Sequence, residues 1–106
     1  MAVYILLSRL TPDGRKTIKE RPGRMKEVVD ELDTVGVKVL EQYATLGEYD
    51  FVNIVEAPDN ETIGKVSVEL CSRGTIDLIT LAAVPVDSLI DLLNKVKADK
   101  AKIQNK

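Results

Sequence analysis

The sequence predicts a single α+β domain with a four-stranded antiparallel sheet, two main helices and an added C-terminal helix. Three observations lead to this prediction. The chain has 106 residues, which is close to the commonest size of one domain. Runs of apolar, β-prone residues alternate with segments whose apolar residues recur every three to four positions. These segments follow one another as strand, helix, strand, strand, helix, strand and helix.

The first third of the chain predicts one strand and a helical region broken by a proline. Residues 2–8 are an apolar, β-prone run, which predicts the first strand. The sequence Thr-Pro-Asp-Gly at positions 11–14 is a helix-start signal and predicts a short helical segment to about residue 20. Pro22 should interrupt it, because proline disfavours helix in the residue before it. A second helix is expected over residues 22–34, with an apolar face of Met25, Val28, Val29 and Leu32.

The remaining two thirds predict a hairpin, a helix, a strand and a last helix. Gly36 suits the end of a helix, and strands are expected over residues 37–46 and 49–57, with a turn at Gly47 and Glu48. Pro58 ends the third strand, and Asp59 or Asn60 can cap a helix that runs to about residue 72. Residues 75–84 form the fourth predicted strand. The last helix starts near Pro85 and carries Leu89, Ile90, Leu93 and Val96 on one stripe.

This order of elements is the βαββαβ arrangement of ferredoxin-like domains, followed by one extra helix. We expect a single domain over residues 1–97 and a polar, lysine-rich C-terminal tail over residues 98–106. In this arrangement strands one and three are central, and both main helices lie on one face of the sheet because crossovers are right-handed.

The sheet is predicted to be apolar on both faces. Strand one places Val3, Ile5 and Leu7 on one side and Tyr4 and Leu6 on the other, although a sheet covered on one face should alternate apolar and polar residues. The second face needs cover from the last helix, from a partner sheet or from both, because large exposed apolar patches are disfavoured. We expect a homodimer, since one two-fold patch serves both subunits. The alternative is that the last helix covers the sheet of its own chain.

The composition argues against several classes of function. The chain has no histidine and one cysteine, so histidine-based catalysis, the common zinc and haem sites and an intrachain disulfide are excluded, and we expect no metal or cofactor. A formal charge of −2 and few aromatic residues argue against nucleic-acid binding. No apolar run is long enough for a membrane span. The chain is expected in the cytoplasm, where lone thiols stay reduced.

Tyr49 and Asp50, at the entry to a central strand, are the candidate catalytic residues. A carboxylate there must be hydrogen-bonded or have a raised pKa. Asp50 could act as a general base or bind a cation, with Tyr49 or Tyr43 as proton donor. The alternative is structural, with Asp50 accepting backbone N–H bonds at the hairpin while Tyr49 packs and hydrogen-bonds outward.

Arg9, Arg24 and Tyr4 are the candidate ligand-binding residues. Basic residues cluster in sequence around the first helices and could converge on an anionic ligand near helix N-termini. The alternative is an ordinary solvated charged face.

Two segments carry a resemblance to a known family. The residues Leu-Gly-Glu-Tyr-Asp at 46–50 and Val-Glu-Ala-Pro-Asp at 55–59 resemble the signature region of the GYD-domain family, small prokaryotic proteins named for a Gly-Tyr-Asp motif. The resemblance covers about residues 1–95 and departs from the motif by the inserted Glu48. A further difference is Ala44, where relatives carry an aromatic residue. The resemblance implies a ferredoxin-like fold of the dimeric α/β-barrel type and no particular activity.

Three functions are compatible with the sequence. The first is a homodimeric small-molecule binding or sensory module. The second is a structural or oligomerisation subunit, in which the candidate residues serve only the fold. The third is a cofactor-independent enzyme, similar to isomerases or monooxygenases, that uses Asp50 and a tyrosine; fold analogy is its only support.

Overall fold

The computed structural model describes residues 1–104, with side chains described through residue 99. Its elements are β1 (Ala2–Leu10), α1 (Pro12–Glu20), α2 (Arg24–Thr34), β2 (Lys38–Ala44), β3 (Phe51–Ala57), α3 (Asn60–Cys71), β4 (Ile76–Ala83) and α4 (Val86–Gln104). The predicted α+β class and the ferredoxin-like order with an extra C-terminal helix are confirmed. Of the expected tail, residues 98–104 continue α4, and residues 105 and 106 lie outside the described residues.

The four strands form one antiparallel sheet in the order β2-β3-β1-β4. Strand β1 is central and pairs with β3 over Ala2–Ser8 and with β4 over Val3–Leu10, so that Ile5 lies between Ile54 and Leu81. Strand β2 is an edge strand with a register shift between Val39 and Glu41. Such a bulge disturbs the outer edge and discourages further pairing there.

The core lies between one face of the sheet and helices α2 and α3. Strand β1 contributes Tyr4 and Leu6, and strand β3 contributes Val55 and Ala57, all at most 2% exposed. The helices complete the cluster with side chains spaced three to four residues apart, namely Leu32 from α2 and Ile63, Val66 and Leu70 from α3. This spacing puts the three α3 residues on one helix face, and their burial is what holds α3 on the sheet.

Two helix starts follow the sequence signals directly. The Thr11 hydroxyl accepts a hydrogen bond from the Gly14 N–H at 3.1 Å, with Pro12 in the first turn of α1. The Asp59 carboxylate accepts from the Thr62 N–H at 2.8 Å and from the Thr62 hydroxyl at 2.6 Å. The Thr62 hydroxyl and then its N–H lower the pKa of Asp59, because both bonds favour the charged form. Gly36, with φ at 82°, ends α2.

In the part of the chain that the structure describes, no helix lies over the other face of the sheet. Its strand β4 residues Ile79 and Leu81 are 46% and 45% exposed. Helix α4 makes at most marginal contact with the other elements. The radius of gyration is 18.3 Å, against about 13 Å for a compact domain of this length. The last helix therefore does not cover the sheet of its own chain.

Gly14 allows α1 to sit directly on the chain that enters β4. The Thr11 N–H donates to the Thr75 carbonyl at 3.0 Å, and the Thr11 hydroxyl donates to the Gly74 carbonyl at 2.7 Å. A Cβ atom at residue 14 would lie 1.9 Å from the Thr75 carbonyl oxygen. Any side chain there would push the helix off β4.

We expect Gly14→Ala to destabilise the protein by about 3 kcal/mol, the upper end of ordinary overpacking, because the clash is with backbone atoms that cannot rotate away. Urea unfolding monitored by circular dichroism measures the change. Gly64→Ala is the matched control: it lies on α3 with open space around it, and we expect a gain of about 0.5–1 kcal/mol. Equal midpoints for the two variants would contradict the close approach.

Candidate functional site

The segment that carries Tyr49 and Asp50 is tied to the end of β1. The Asp50 N–H donates to the Ser8 carbonyl at 2.8 Å, and one Asp50 carboxylate oxygen accepts from the Leu10 N–H at 2.7 Å. Strand β3 pairs only as far as Phe51 opposite Ser8. The Asp50 side chain thus takes the place of a backbone carbonyl and supplies an acceptor to β1 beyond the point where β3 begins.

The hairpin itself is closed by Thr45. Its N–H donates to the Asp50 carbonyl at 2.8 Å, and its hydroxyl donates to the Tyr49 carbonyl at 2.5 Å. Gly47 has φ at 125°, a conformation that residues with a Cβ rarely adopt. Local hydrogen bonds and one glycine therefore fix the shape of the loop between β2 and β3.

Arg9 covers the outside of this loop. Its guanidinium lies 5.2 Å from the centre of the Tyr49 ring. It also donates to the Glu48 carbonyl at 2.9 Å and to the Glu48 carboxylate at 2.5 Å. The Arg9 and Glu48 side chains are half exposed or more, so this ion pair is screened and weak. The arrangement orients Tyr49 by a cation–π contact without forming a cavity.

The six candidate residues lie in four separate places. Arg9, Tyr49 and Asp50 meet at the hairpin described above. Tyr4 is in the core and its hydroxyl donates to the Asn60 amide oxygen at 2.5 Å. Tyr43 lies on the exposed edge strand β2 and donates to Glu41, a hydrogen bond to a carboxylate that raises the pKa of Tyr43, with the Glu41 charge adding to it. Arg24 lies on α2. Among the candidates, the only tyrosine and aspartate brought together are Tyr49 and Asp50.

The contacts of Asp50 do not favour a catalytic role for its carboxylate. Asp50 is half-buried and bonded to the backbone, which matches the structural alternative stated for it. Neither Tyr49 nor Asp50 lines any of the four best-defined cavities of the described chain. Residues 1–99 also hold no group of three or more side chains that could bind a metal ion. None of the helices in the described chain is long and apolar enough to cross a membrane.

A groove runs between α2 and α3, on the outside of the helical layer. It measures about 470 Å³, and Leu32, Val66 and Leu70 are among its lining residues. Glu31 stands on its rim between two arginines, 2.9 Å from Arg24 and 2.8 Å from Arg73. Hydrogen bonds from Arg24 and then Arg73 lower the pKa of Glu31. The same bond from Glu31, followed by that from Glu27, raises the pKa of Arg24.

Sequence reasoning missed this ion-pair cluster. Arg24 and Glu31 are two turns apart on one helix, which is a detectable signal, but Arg73 reaches Glu31 only because α3 packs beside α2. The bond between Tyr4 and Asn60 was also missed, because the two residues are 56 positions apart. In both cases the pairing depends on the tertiary arrangement and leaves no periodic pattern in the chain.

The fold and these contacts define a small ferredoxin-like α+β protein whose signature segment fastens the hairpin to the central strand. The chain belongs to the GYD-domain family, whose model matches residues 4–93. It is 50% identical over 91 residues to the "Glutamine synthetase and cystathionine beta-lyase binding protein" of Thermus thermophilus. That alignment covers 85% of this chain and 96% of the relative. No solved structure matches the chain.

We expect Asp50→Ala to destabilise the protein by about 2 kcal/mol, because the half-buried Leu10 N–H loses its acceptor. Asp50→Asn keeps an oxygen there and should cost about 1 kcal/mol or less, since the bond to a charged acceptor becomes a neutral one. Urea unfolding measures both. The control, Glu48→Gln, removes only the exposed ion pair and should change stability by less than about 1 kcal/mol. An Asp50→Ala variant as stable as Glu48→Gln would show that the carboxylate does not fasten the hairpin.

Glu31 should make the stability of the protein depend on pH in the acidic range. Its pKa in the folded state is lowered from an ordinary value of 4.5, so its contribution is present above that value and is lost as the pH falls through the lowered one. Denaturant unfolding of wild type and Glu31→Gln should therefore differ at pH 6 and converge towards pH 3. Asp33→Asn, an exposed change on the same helix, is the control. A difference that does not depend on pH would contradict this role.

Proposed function

We propose that this chain is a homodimeric binding protein whose targets are other proteins. The observation that carries the proposal is the exposed apolar surface. Among the described residues, fifteen large hydrophobic side chains are exposed, and nine of them lie between Ile79 and Val96. Surfaces of this kind on globular proteins mark sites of association.

Self-association accounts for the open sheet face. Strand β1 presents Val3, Ile5 and Leu7 there, beside Ile79 and Leu81 of β4. Helix α4 of the same chain leaves this face uncovered. A second copy would bury the same patch on both subunits through one two-fold axis. This is the arrangement expected from the sequence, and the dimer remains part of the proposal.

The relative supports protein targets over small molecules. Its name states that it binds glutamine synthetase and cystathionine beta-lyase, and half of the aligned residues are the same in the two chains. We propose that these two enzymes are the targets of this chain as well. A dimer formed through the sheet leaves the groove between α2 and α3 free, with Val35 among its lining residues. Val68 is exposed on the outward side of α3. We propose this helical face as the surface that meets the target.

A small-molecule or sensory role is the second candidate, and one observation favours it. A cleft of about 410 Å³ lies between the start of α2 and the edge strand β2, lined by Met25, Gln42, Ala44 and Phe51 among others. Catalysis by Asp50 has no comparable support, because its carboxylate is bonded to the backbone. The single cysteine suits a reducing compartment, and we propose that the protein acts in the cytoplasm.

The test uses the full chain with glutamine synthetase and cystathionine beta-lyase purified from its own source organism. Light scattering should give about 23 kDa, twice the 11.7 kDa of one chain. Biolayer interferometry should detect binding to at least one of the enzymes. Val68→Asp, a change on the exposed side of α3, should weaken that binding at least tenfold, about 1.4 kcal/mol, and keep the dimer mass.

The matched change on the other face is Leu81→Asp, which places a charge in the proposed dimer interface and should give a chain of monomer mass. A wild-type protein that is monomeric at a concentration of about 50 µM would refute the dimer. Absence of binding to both enzymes at the same concentration would refute the protein targets. Circular dichroism of both variants verifies that they fold.

A further inference from the structure

Two apolar surfaces within residues 1–99 are left uncovered by the other elements of the chain. The first, the open-face band, comprises the apolar side chains on the uncovered side of the sheet: Val3, Ile5, Leu7, Val52, Ile54, Ile79 and Leu81. The second, the α4 stripe, comprises residues spaced three to four positions apart on the last helix: Val86, Leu89, Leu92, Leu93 and Val96. The stripe side chains are between 47% and 69% exposed.

The connector between β4 and α4 holds the stripe away from its own sheet. Only Val84 and Pro85 separate the strand from the helix. Proline fixes its own φ and restricts the residue before it to extended conformations. The Leu89 N–H already donates to the Pro85 carbonyl at 3.1 Å, so the first helical turn begins at the proline. A two-residue connector of this kind is too short and too rigid for α4 to turn back over β4.

The two surfaces have matching lengths. The α4 stripe rises through ten residue steps from Val86 to Val96, about 15 Å at 1.5 Å per residue. The open-face band extends through four residue steps along β1, from Val3 to Leu7, about 14 Å at 3.4 Å per residue. Each surface is therefore as long as the other.

The widths match as well. A helix is about 10 Å across, which corresponds to two strand spacings of about 4.8 Å each. The side chains of the open-face band lie on three neighbouring strands, β3, β1 and β4, and the two outer strands are two spacings, or about 9.6 Å, apart. Farther across the same face, edge strand β2 presents Lys38, Glu41 and Tyr43. The apolar part of the face is thus about as wide as one helix and is bordered by polar side chains.

We propose that in the homodimer helix α4 of each copy lies across the open-face band of the other copy. The inference rests on the proposed dimer and specifies what covers the sheet. The exchange is reciprocal, so a single two-fold axis buries both surfaces on both subunits. A sheet-on-sheet dimer alone would leave the α4 stripe in water, and a pair of α4 helices alone would leave the open-face band in water.

The area involved is sufficient for a stable interface. The stripe and the band together contribute about a dozen large apolar side chains per copy. At about 30 Å² for each carbon covered, a partly exposed side chain of this size gains about 50 Å² of cover. The total is about 600 Å² per copy, which reaches the lower limit of stable interfaces, about 1,200 Å² in all. Polar contacts at the border would add to it.

Disulfide trapping between two labelled copies tests the exchange. In a Cys71→Ser background, a tagged chain carrying Leu81→Cys is mixed with an untagged chain carrying Leu89→Cys, Leu93→Cys or Val96→Cys. After exchange of subunits and mild oxidation, non-reducing gels should show a tagged–untagged dimer for at least one stripe position. Asp91→Cys is the control, because Asp91 lies about 160° around the helix from Leu93 at 100° per residue and should trap at least tenfold less.

Each other outcome overturns the exchange. Dimers that form only between two tagged Leu81→Cys chains would indicate sheet-on-sheet packing, and dimers that form only between two α4 variants would indicate a helix pair. Equal trapping by Asp91→Cys and the stripe positions would show random collision. The absence of any crosslink in a sample of dimer mass would show that the α4 stripe and the open-face band do not meet. In all these cases the mass from light scattering reports separately on whether the proposed homodimer itself exists.

Discussion

The placement of β1 at the centre of the sheet is the constraint on which the rest of the molecule depends. A strand with partners on both sides has its backbone fully paired, and its side chains then decide what each face must contact. In this chain both faces of β1 are apolar, with Tyr4 and Leu6 towards the helices and Ile5 and Leu7 away from them. Helices α2 and α3 can bury only the first set. The second set forms an apolar sheet face that the main helices leave uncovered.

The sequence was sufficient for the architecture because local signals and periodicity agreed. The Thr11 and Asp59 caps, the proline at position 22 and the glycine at position 36 mark helix ends by chemistry that acts within a few residues. The apolar faces of α2 and α3 then allow only one side of each helix to meet the sheet. The expectation that both sheet faces are apolar also held, since strand alternation determines it without knowledge of the rest of the fold.

The candidate site was predictable only in part. The sequence located Tyr49 and Asp50 at the entry to β3, and in the structure these two residues directly precede Phe51, the first residue of that strand. It could not show that the Asp50 carboxylate bonds to the Leu10 N–H, because this depends on β1 running farther than β3. The direction of α4 could not be predicted from the sequence either. An amphipathic helix after a strand has the same sequence pattern whether it packs on its own chain or on another. The ion pairs of Glu31 depend in the same way on which helices become neighbours.

The bond between Asp50 and the backbone of β1 has a consequence for how the family signature is understood. A side chain that replaces a missing rung of a sheet contributes to folding whatever the protein binds. Chains that share the motif then share a way of closing a hairpin, and their biochemical roles can diverge freely on surfaces elsewhere. Functional comparison within such a family is therefore better based on exposed helical residues than on the motif that gives it its name.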